Sequence, residues 1–407
     1  MFNKIKASLK SVGPGFIIAS VVLGPGSITV ASMIGSVHGY SFLWVIVLAA
    51  ISMLTYTSMA VRFGVANSKS ILQSISDTYG RWFAVLIGIS TFLSASSFQF
   101  GNNLGIGIGM EGITGIDAHL WPVVFTLAAI ILLFWAKNLY KILEKLMMVM
   151  VMIMIAAFVF NIILTKPEME PLVKGFIPVT FDFKQLDVIA ALVATTFVLN
   201  AAIYQSYLAQ NKGWNVANLK KSLNDSYMGI ILLAFISILI IVTSAAALHP
   251  NGIKVNTAAD MALQLETLFG SYAKIVFSIG FCAAAFSSLI VNAVIGGGLF
   301  ADSLGLGRSM NEKTPKIFTS VILLLGMFVA MFISENVVYA LILAQASSII
   351  AVPLIAIGIF LILNNKKVMG HLRNNKLQNT FAIFGFFLIS LMVYFIFTKI
   401  IGFIGSI

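Results

Sequence analysis

SVVLGPGSITVAS, residues 20–32, lies inside an apolar run from residue 14 to 38, and Gly24-Pro25-Gly26 interrupts that run near its middle. Pro25 removes a backbone donor, and the two glycines adopt angles that other residues resist. Within a bilayer, a broken helix is tolerated only where the freed N–H and C=O groups line a cavity or are buried in protein. Taken alone, the interruption has two readings. One is a packing kink, since Gly and Pro are enriched in membrane helices. The other is a discontinuous helix that offers bare backbone to a ligand.

The rest of the chain sets the context. Of 407 residues, 59% are apolar and 10% charged, with a mean hydropathy of +1.01. A soluble domain carries about 25% charged residues, so this composition is that of an all-α integral membrane protein. A helix needs about 20 apolar residues to cross a bilayer. Eleven such stretches occur, near 14–38, 41–63, 82–110, 119–136, 142–164, 186–211, 222–248, 271–302, 316–334, 337–363 and 379–404. The first is too long for a signal-peptide core and lacks an A-x-A-like exit, which argues against secretory processing. The single cysteine, Cys282, rules out a disulfide framework.

With the N-terminus in the cytoplasm, 19 Lys and Arg fall in inner connections and 5 in outer ones, with Lys399 left in the last span. Cytoplasmic loops carry such an excess in membrane proteins. The expected protein is therefore multi-pass in the plasma membrane, with its N-terminus cytoplasmic and its C-terminus extracellular. The formal charge of +11 is topological, so the lipid bilayer is the expected partner; nucleic acid is not, and no obligate protein partner is evident. Residues 65–80 read as an amphipathic segment on the inner face, and NTAADMALQLETLFG (256–270) as a short surface helix.

A second interruption shifts the balance between the two readings. The sixth stretch contains ATTFVLNAA (194–202), with two threonines and Asn200 in an otherwise apolar span. The first and sixth stretches are equivalent if ten helices form two five-helix repeats. Broken helices at corresponding positions of inverted repeats point to a secondary transporter's substrate site. The division is then one transporter domain over 1–407, with repeats near 14–164 and 186–363 and an extra helix near 379–404.

These residues resemble the Nramp (natural resistance-associated macrophage protein) metal-ion transporters. That family carries GPG, eight residues, then Asp-Pro-Gly-Asn. Here Gly13-Pro14-Gly15 is followed by eight residues and Gly24-Pro25-Gly26-Ser27. The family's Gly-Ala-Thr-Val-Met-Pro-His-Asn falls without gaps on Val193 to Asn200, and its helix-ten Ser-Gln, followed by proline, on Ala344-Gln345 and Pro353; Ser287-Ser288 adds a pair in helix eight. The resemblance implies a leucine-transporter-type fold: eleven helices in a 5+5 inverted repeat, helices one and six discontinuous, working by ion-coupled alternating access. It also implies substrate contacts at Gly24, Pro25, Gly26, Ser27, Phe197, Asn200 and Gln345. The family's metal-binding aspartate is Gly24 here, its asparagine Ser27, its methionine Phe197 and its following histidine Leu199, so no metal ligand set is assigned.

An uncharged site is a poor home for a naked transition-metal ion, whose binding needs charge to offset dehydration. All acids and histidines fall in loops or at helix ends, leaving no mid-depth carboxylate or imidazole for a proton relay. The start of the second half of helix one would suit a carboxylate. Carbonyls of residues 22–24, with Ser287 and Ser288, could hold Na⁺ as coupling ion, although the serines equally suit helix–helix bonding. No cofactor is implied beyond Na⁺ or a proton for coupling. The chain is therefore read as a transporter of a small zwitterionic or carboxylate solute, with a divalent metal ion of Mg²⁺ or Mn²⁺ type as the alternative. No catalytic pair suggests an enzyme, and no carbonyl filter or charged ring suggests a channel. Gln99, Asn102 and Asn103, beside glycines at 101, 105, 107 and 109, suit close packing or an outer vestibule. MMVMVMIM (147–154) suits lipid- or bundle-facing packing, and Gly296-Gly297-Gly298 lacks the lysine of a phosphate loop.

Overall fold

The computed structural model describes residues 24–135, 149, 152–153, 155–178, 186–309, 311–332 and 337–404. Gly13-Pro14-Gly15, the carbonyls of residues 22 and 23, and most of the Met run lie outside them; Val149, Met152 and Ile153 of that run are exposed. Every regular element among the described residues is a helix. Among the described residues, eight helices are long and apolar enough to cross a membrane, and Leu120–Trp135 and Ile155–Thr165 are shorter apolar helices.

We label α1 Pro25–His38, α2 Leu43–Ala66, α3 Ile71–Tyr79, α4 Arg81–Thr114 and α5 Leu120–Trp135. Then come α6 Ile155–Thr165, α7 Met169–Lys174, α8 Leu186–Thr196, α9 Leu199–Asn211 and α10 Leu219–Ala247. The chain continues through α11 Ala258–Leu263, α12 Glu266–Phe269, α13 Ala273–Ser303 and α14 Lys313–Met331, then α15 Val337–Ser348, α16 Val352–Asn364, α17 Lys366–Met369 and α18 Lys376–Ile404.

Two packed groups organise the bundle. α4 runs against α13, and α14 packs on both; α1, α2, α9 and α10 form the other group, and α15 leans on α4, α8 and α1. Small residues allow the close approach. A Cβ at Gly297 would overlap the Thr319 backbone of α14, one at Gly296 would overlap Ala95 of α4, and one at Gly109 would come within 2.9 Å of Cys282 Cβ. The glycines of both motifs are thus packing surfaces. Outward, Leu127, Ile131, Phe328 and Phe387 are exposed, a lipid-facing coat.

The sixth span is discontinuous as expected: α8 ends at Thr196, Val198 is extended (φ −96°, ψ 91°), and α9 starts at Leu199. The tenth span also departs from a plain helix, tightening to 3₁₀ over Ile349–Ala351 before Pro353 in the first turn of α16. Residues 65–80 yield α3, capped by Ser70 Oγ accepting from Gln73 N at 3.0 Å. The 256–270 segment is more than a surface helix. Thr257 and Asp260 cap α11 reciprocally, while Met261, Gln264 and Leu265 are fully buried.

Candidate substrate site

The site is built on the start of α1. Gly24 is extended (φ −94°, ψ 176°) and Pro25 opens the helix, where its missing N–H breaks no intrahelical bond. The first amides of a helix lack intrahelical acceptors and gather partial positive charge. Three other helices close on this break. From α15, Gln345 lies flat over Gly26, so a Cβ there would overlap its amide. From α13, Ser288 Oγ would sit 2.8 Å from a Cβ on Gly24, and from α4 Asn102 Oδ1 would sit 3.2 Å from it. Gly101 gives Gln345 room, with its Nε2 3.0 Å from where a Cβ would stand, and Gly105 gives room to Pro25.

Gly24, Pro25, Gly26, Gln345 and Ser288 therefore come together, and Ser27 is buried in the same first turn. Ser288 Oγ accepts from Asn292 Nδ2 at 2.9 Å; Ser287 follows at about 100° around the same helix. Phe197 and Asn200 have other partners. The Phe197 ring packs on Tyr56 of α2 with centroids 5.5 Å apart. Asn200 donates to Thr91 O at 3.2 Å, and Thr91 lies eleven residues along α4 from Asn102, about 16 Å at the helical rise.

Asn102 is the residue missed in the sequence. It is fully buried, as are Gln99 and Asn103, so these amides do not line an outer vestibule. Asn102 Nδ2 donates to Gln99 Oε1 at 3.1 Å, Gln99 Nε2 reaches Leu289 O, and Thr126 Oγ1 donates to Asn103 Oδ1 at 3.0 Å. The available signal was Gly101 and Gly105 beside Asn102, which mark the face pressed against another backbone.

Chemically, the break meets two oxygens, Ser288 Oγ and Asn102 Oδ1, and the Nε2 of Gln345. Asn102 Oδ1 and Gln345 Oε1 are buried with no hydrogen-bond partner, and so is Asn200 Oδ1 at its separate place. A buried acceptor without a partner costs about 1–3 kcal/mol, and such atoms mark places where a donor or cation belongs. Among the described residues no three His, Cys, Asp or Glu side chains group as metal ligands.

The buried carboxylate among the described acids is Asp302, which accepts from Tyr207 Oη where α9 meets α13. It lies in the last turn of α13, lining a cleft of about 450 Å³ with Gln73, Asp77, Arg81 and Arg308. At the opposite end a cleft of about 670 Å³ opens between His38, Tyr40, Glu168, Lys174 and His249. Burial, then the charge of Glu168, raises the Tyr40 phenol above its ordinary range.

The bundle has the fold of solved membrane transporters. A mutant of the manganese transporter of Eremococcus coleocola superposes with a TM-score of 0.80 at 17% identity, over 97% of this chain and 87% of that one. Mhp1, a nucleobase-cation-symport-1 family transporter, in a closed conformation, gives a TM-score of 0.58 at 16% identity over 95% and 92% of the two chains. The family model described as natural resistance-associated macrophage protein-like matches residues 15–398, and the chain belongs to the Nramp family. Relatives named divalent metal cation transporter MntH share 24% identity in Klebsiella pneumoniae, over 91% of this chain and 89% of that protein. The relative of that name in Yersinia enterocolitica also shares 24%, over 92% and 91%. The protein is thus a multi-pass membrane transporter and not an enzyme.

Proposed function

We propose that the protein moves a divalent cation of the hard, oxygen-seeking kind across the plasma membrane, with part of the ion's water shell retained. One observation carries this reading: the unpartnered Oδ1 of Asn102 meets Gly24 and the amide of Gln345, whose Oε1 is also unpartnered, covers Gly26, with no carboxylate of the described residues beside them. Acceptors call for a cation. The absence of a formal charge in this set favours an ion that gives up few waters, as Mg²⁺ does, over one stripped and held by soft ligands. The relatives' names support a metal cargo over the carboxylate solute expected from sequence. Alternating access fits a site whose ligands sit on α4, α13 and α15 while the break sits on α1.

A second reading has one specific support. A zwitterion could place its ammonium on the same oxygens and its carboxylate at the start of α1. Flux into proteoliposomes separates the two. Saturable Mg²⁺ or Mn²⁺ uptake, weakened at least about tenfold by Gln345→Ala or Asn102→Ala, is expected. No divalent uptake, with stabilisation of the purified protein by an amino acid, would replace the first reading by the second.

A further inference from the structure

We propose that Ser32, Asn161 and Gln264 form a second cation site, for a monovalent ion of sodium size, separate from the cargo site and independent of its reading. The three come from three elements: α1, α6 and the 3₁₀-like turn after α11. All three side chains are fully buried. Asn161 Nδ2 donates to Gln264 O at 2.6 Å. Gln264 Nε2 donates to Met261 O at 2.6 Å and to Ser32 Oγ at 3.0 Å. Ser244 of α10 donates to Ser32 O at 2.6 Å and ties in a fourth helix.

The orientation of the two amides follows from their partners. Each spends its NH₂ on a backbone carbonyl, which only accepts, so neither can be turned over without setting oxygen against oxygen. Asn161 Oδ1 and Gln264 Oε1 are thereby left bare, and both are buried with no partner. Thr29 Oγ1, one turn back along α1 toward the break, is likewise buried and without a partner. Two neighbouring amides that both lack a donor are not explained by the fold, whose other bonds at this place are made.

The donor set selects the ion. Amide and hydroxyl oxygens replace the water of a monovalent cation, and backbone or side-chain oxygens beside a broken helix hold Na⁺ in transporters. A divalent ion stripped of its waters would need charge to offset the lost hydration, and Ser32, Asn161 and Gln264 supply none. Ser32 lies six residues beyond Gly26, about 9 Å along the helix, so one ion cannot serve both places. An ion here would fasten α1 to α6 and to the end of α11. Its occupancy would thus be linked to the position of α1.

The test uses the purified full-length protein and follows its melting temperature at constant ionic strength as sodium replaces choline. A saturable rise with sodium is expected, preserved in Gln345→Ala and lost in Asn161→Leu. Asn161→Asp keeps the shape and adds a charge, so it should lower the half-saturating sodium concentration about tenfold or more. Because Asn161→Leu could simply fold poorly, Asn161→Asp decides: a lower melting temperature with no sodium dependence means that the side chain only packs. Equal melting in sodium and choline would leave an occluded water in place of the ion and overturn the proposal. So would a sodium response that survives Asn161→Leu but disappears in Gln345→Ala, which would put the ion in the cargo site.

Discussion

Gly26→Ala is the smallest change that tests the cargo site. The added methyl would overlap Gln345 Nε2, Cδ and Cγ. Those atoms belong to a side chain that can swing away, so the cost in stability should sit at the low end of overpacking, about 1 kcal/mol. The cost in binding should be larger in proportion, because Gln345 leaves the break with its unpartnered Oε1. At a cation concentration of 100 times Kd, a ligand stabilises the folded protein by about 2.7 kcal/mol, and a tenfold weaker site retains about 1.4. The Mg²⁺-dependent melting shift should therefore fall to about half. A comparison substitution, Gly297→Ala, would press on the backbone N and Cα of Thr319. Backbone cannot step aside, so a loss near the upper end of about 3 kcal/mol is expected with an unchanged cation shift. In a Gln345→Ala background the overlap is gone, and Gly26→Ala should add nothing. Additive effects, or a full cation shift in Gly26→Ala, would refute the assignment of Gln345 as the wall of the site.

Other substitutions probe the frame around the site. Tyr207→Phe removes a donor from the buried Asp302 carboxylate and should cost about 1.5–3 kcal/mol by denaturation, more than Asp302→Asn, which leaves a neutral acceptor in place. Thr257→Ala breaks the reciprocal cap of α11; a loss of about 1 kcal/mol confined to α11 should appear as faster amide exchange over 258–263. A cysteine placed at 373 should react with an impermeant maleimide only from the cytoplasmic side, since Cys282 is buried and will not compete; labelling from outside would reverse the proposed topology.

Much of this architecture is readable in the chain because backbone chemistry is local. Pro25 between two glycines favours the start of a helix, and the apolar runs, where they fall on described residues, map onto helices within a few residues. The second break was legible from composition, yet its neighbours were not. Asn200 sits two residues past Val198, but its partner is Thr91 on α4, a contact that no spacing along the sixth span encodes. Asn102 was hidden for the opposite reason. Its amide resembles those of Gln99 and Asn103 in sequence, and only the rotation of α4 selects the one that meets Gly24. The buried pair of Asn161 and Gln264 joins residues 103 positions apart, beyond reach of any periodicity.

The break itself has a structural consequence that follows from what α1 lacks. Gly24 and Gly26 bring no side chains, and the space they leave is filled by Ser288, Asn102 and Gln345 from three other helices. Side-chain polar atoms at the start of α1 are therefore borrowed, oxygens from α13 and α4 and an amide from α15, while α1 contributes backbone and Ser27. Such a site exists only while α1 stands against those helices. Any movement of α1 relative to α4 and α13 separates the acceptors from the helix start and releases what they hold together. A family aspartate on the moving helix would carry its charge along with the cargo. On the proposed reading, a glycine in that place makes assembly and dispersal of the neutral oxygens the step that binds and frees the ion.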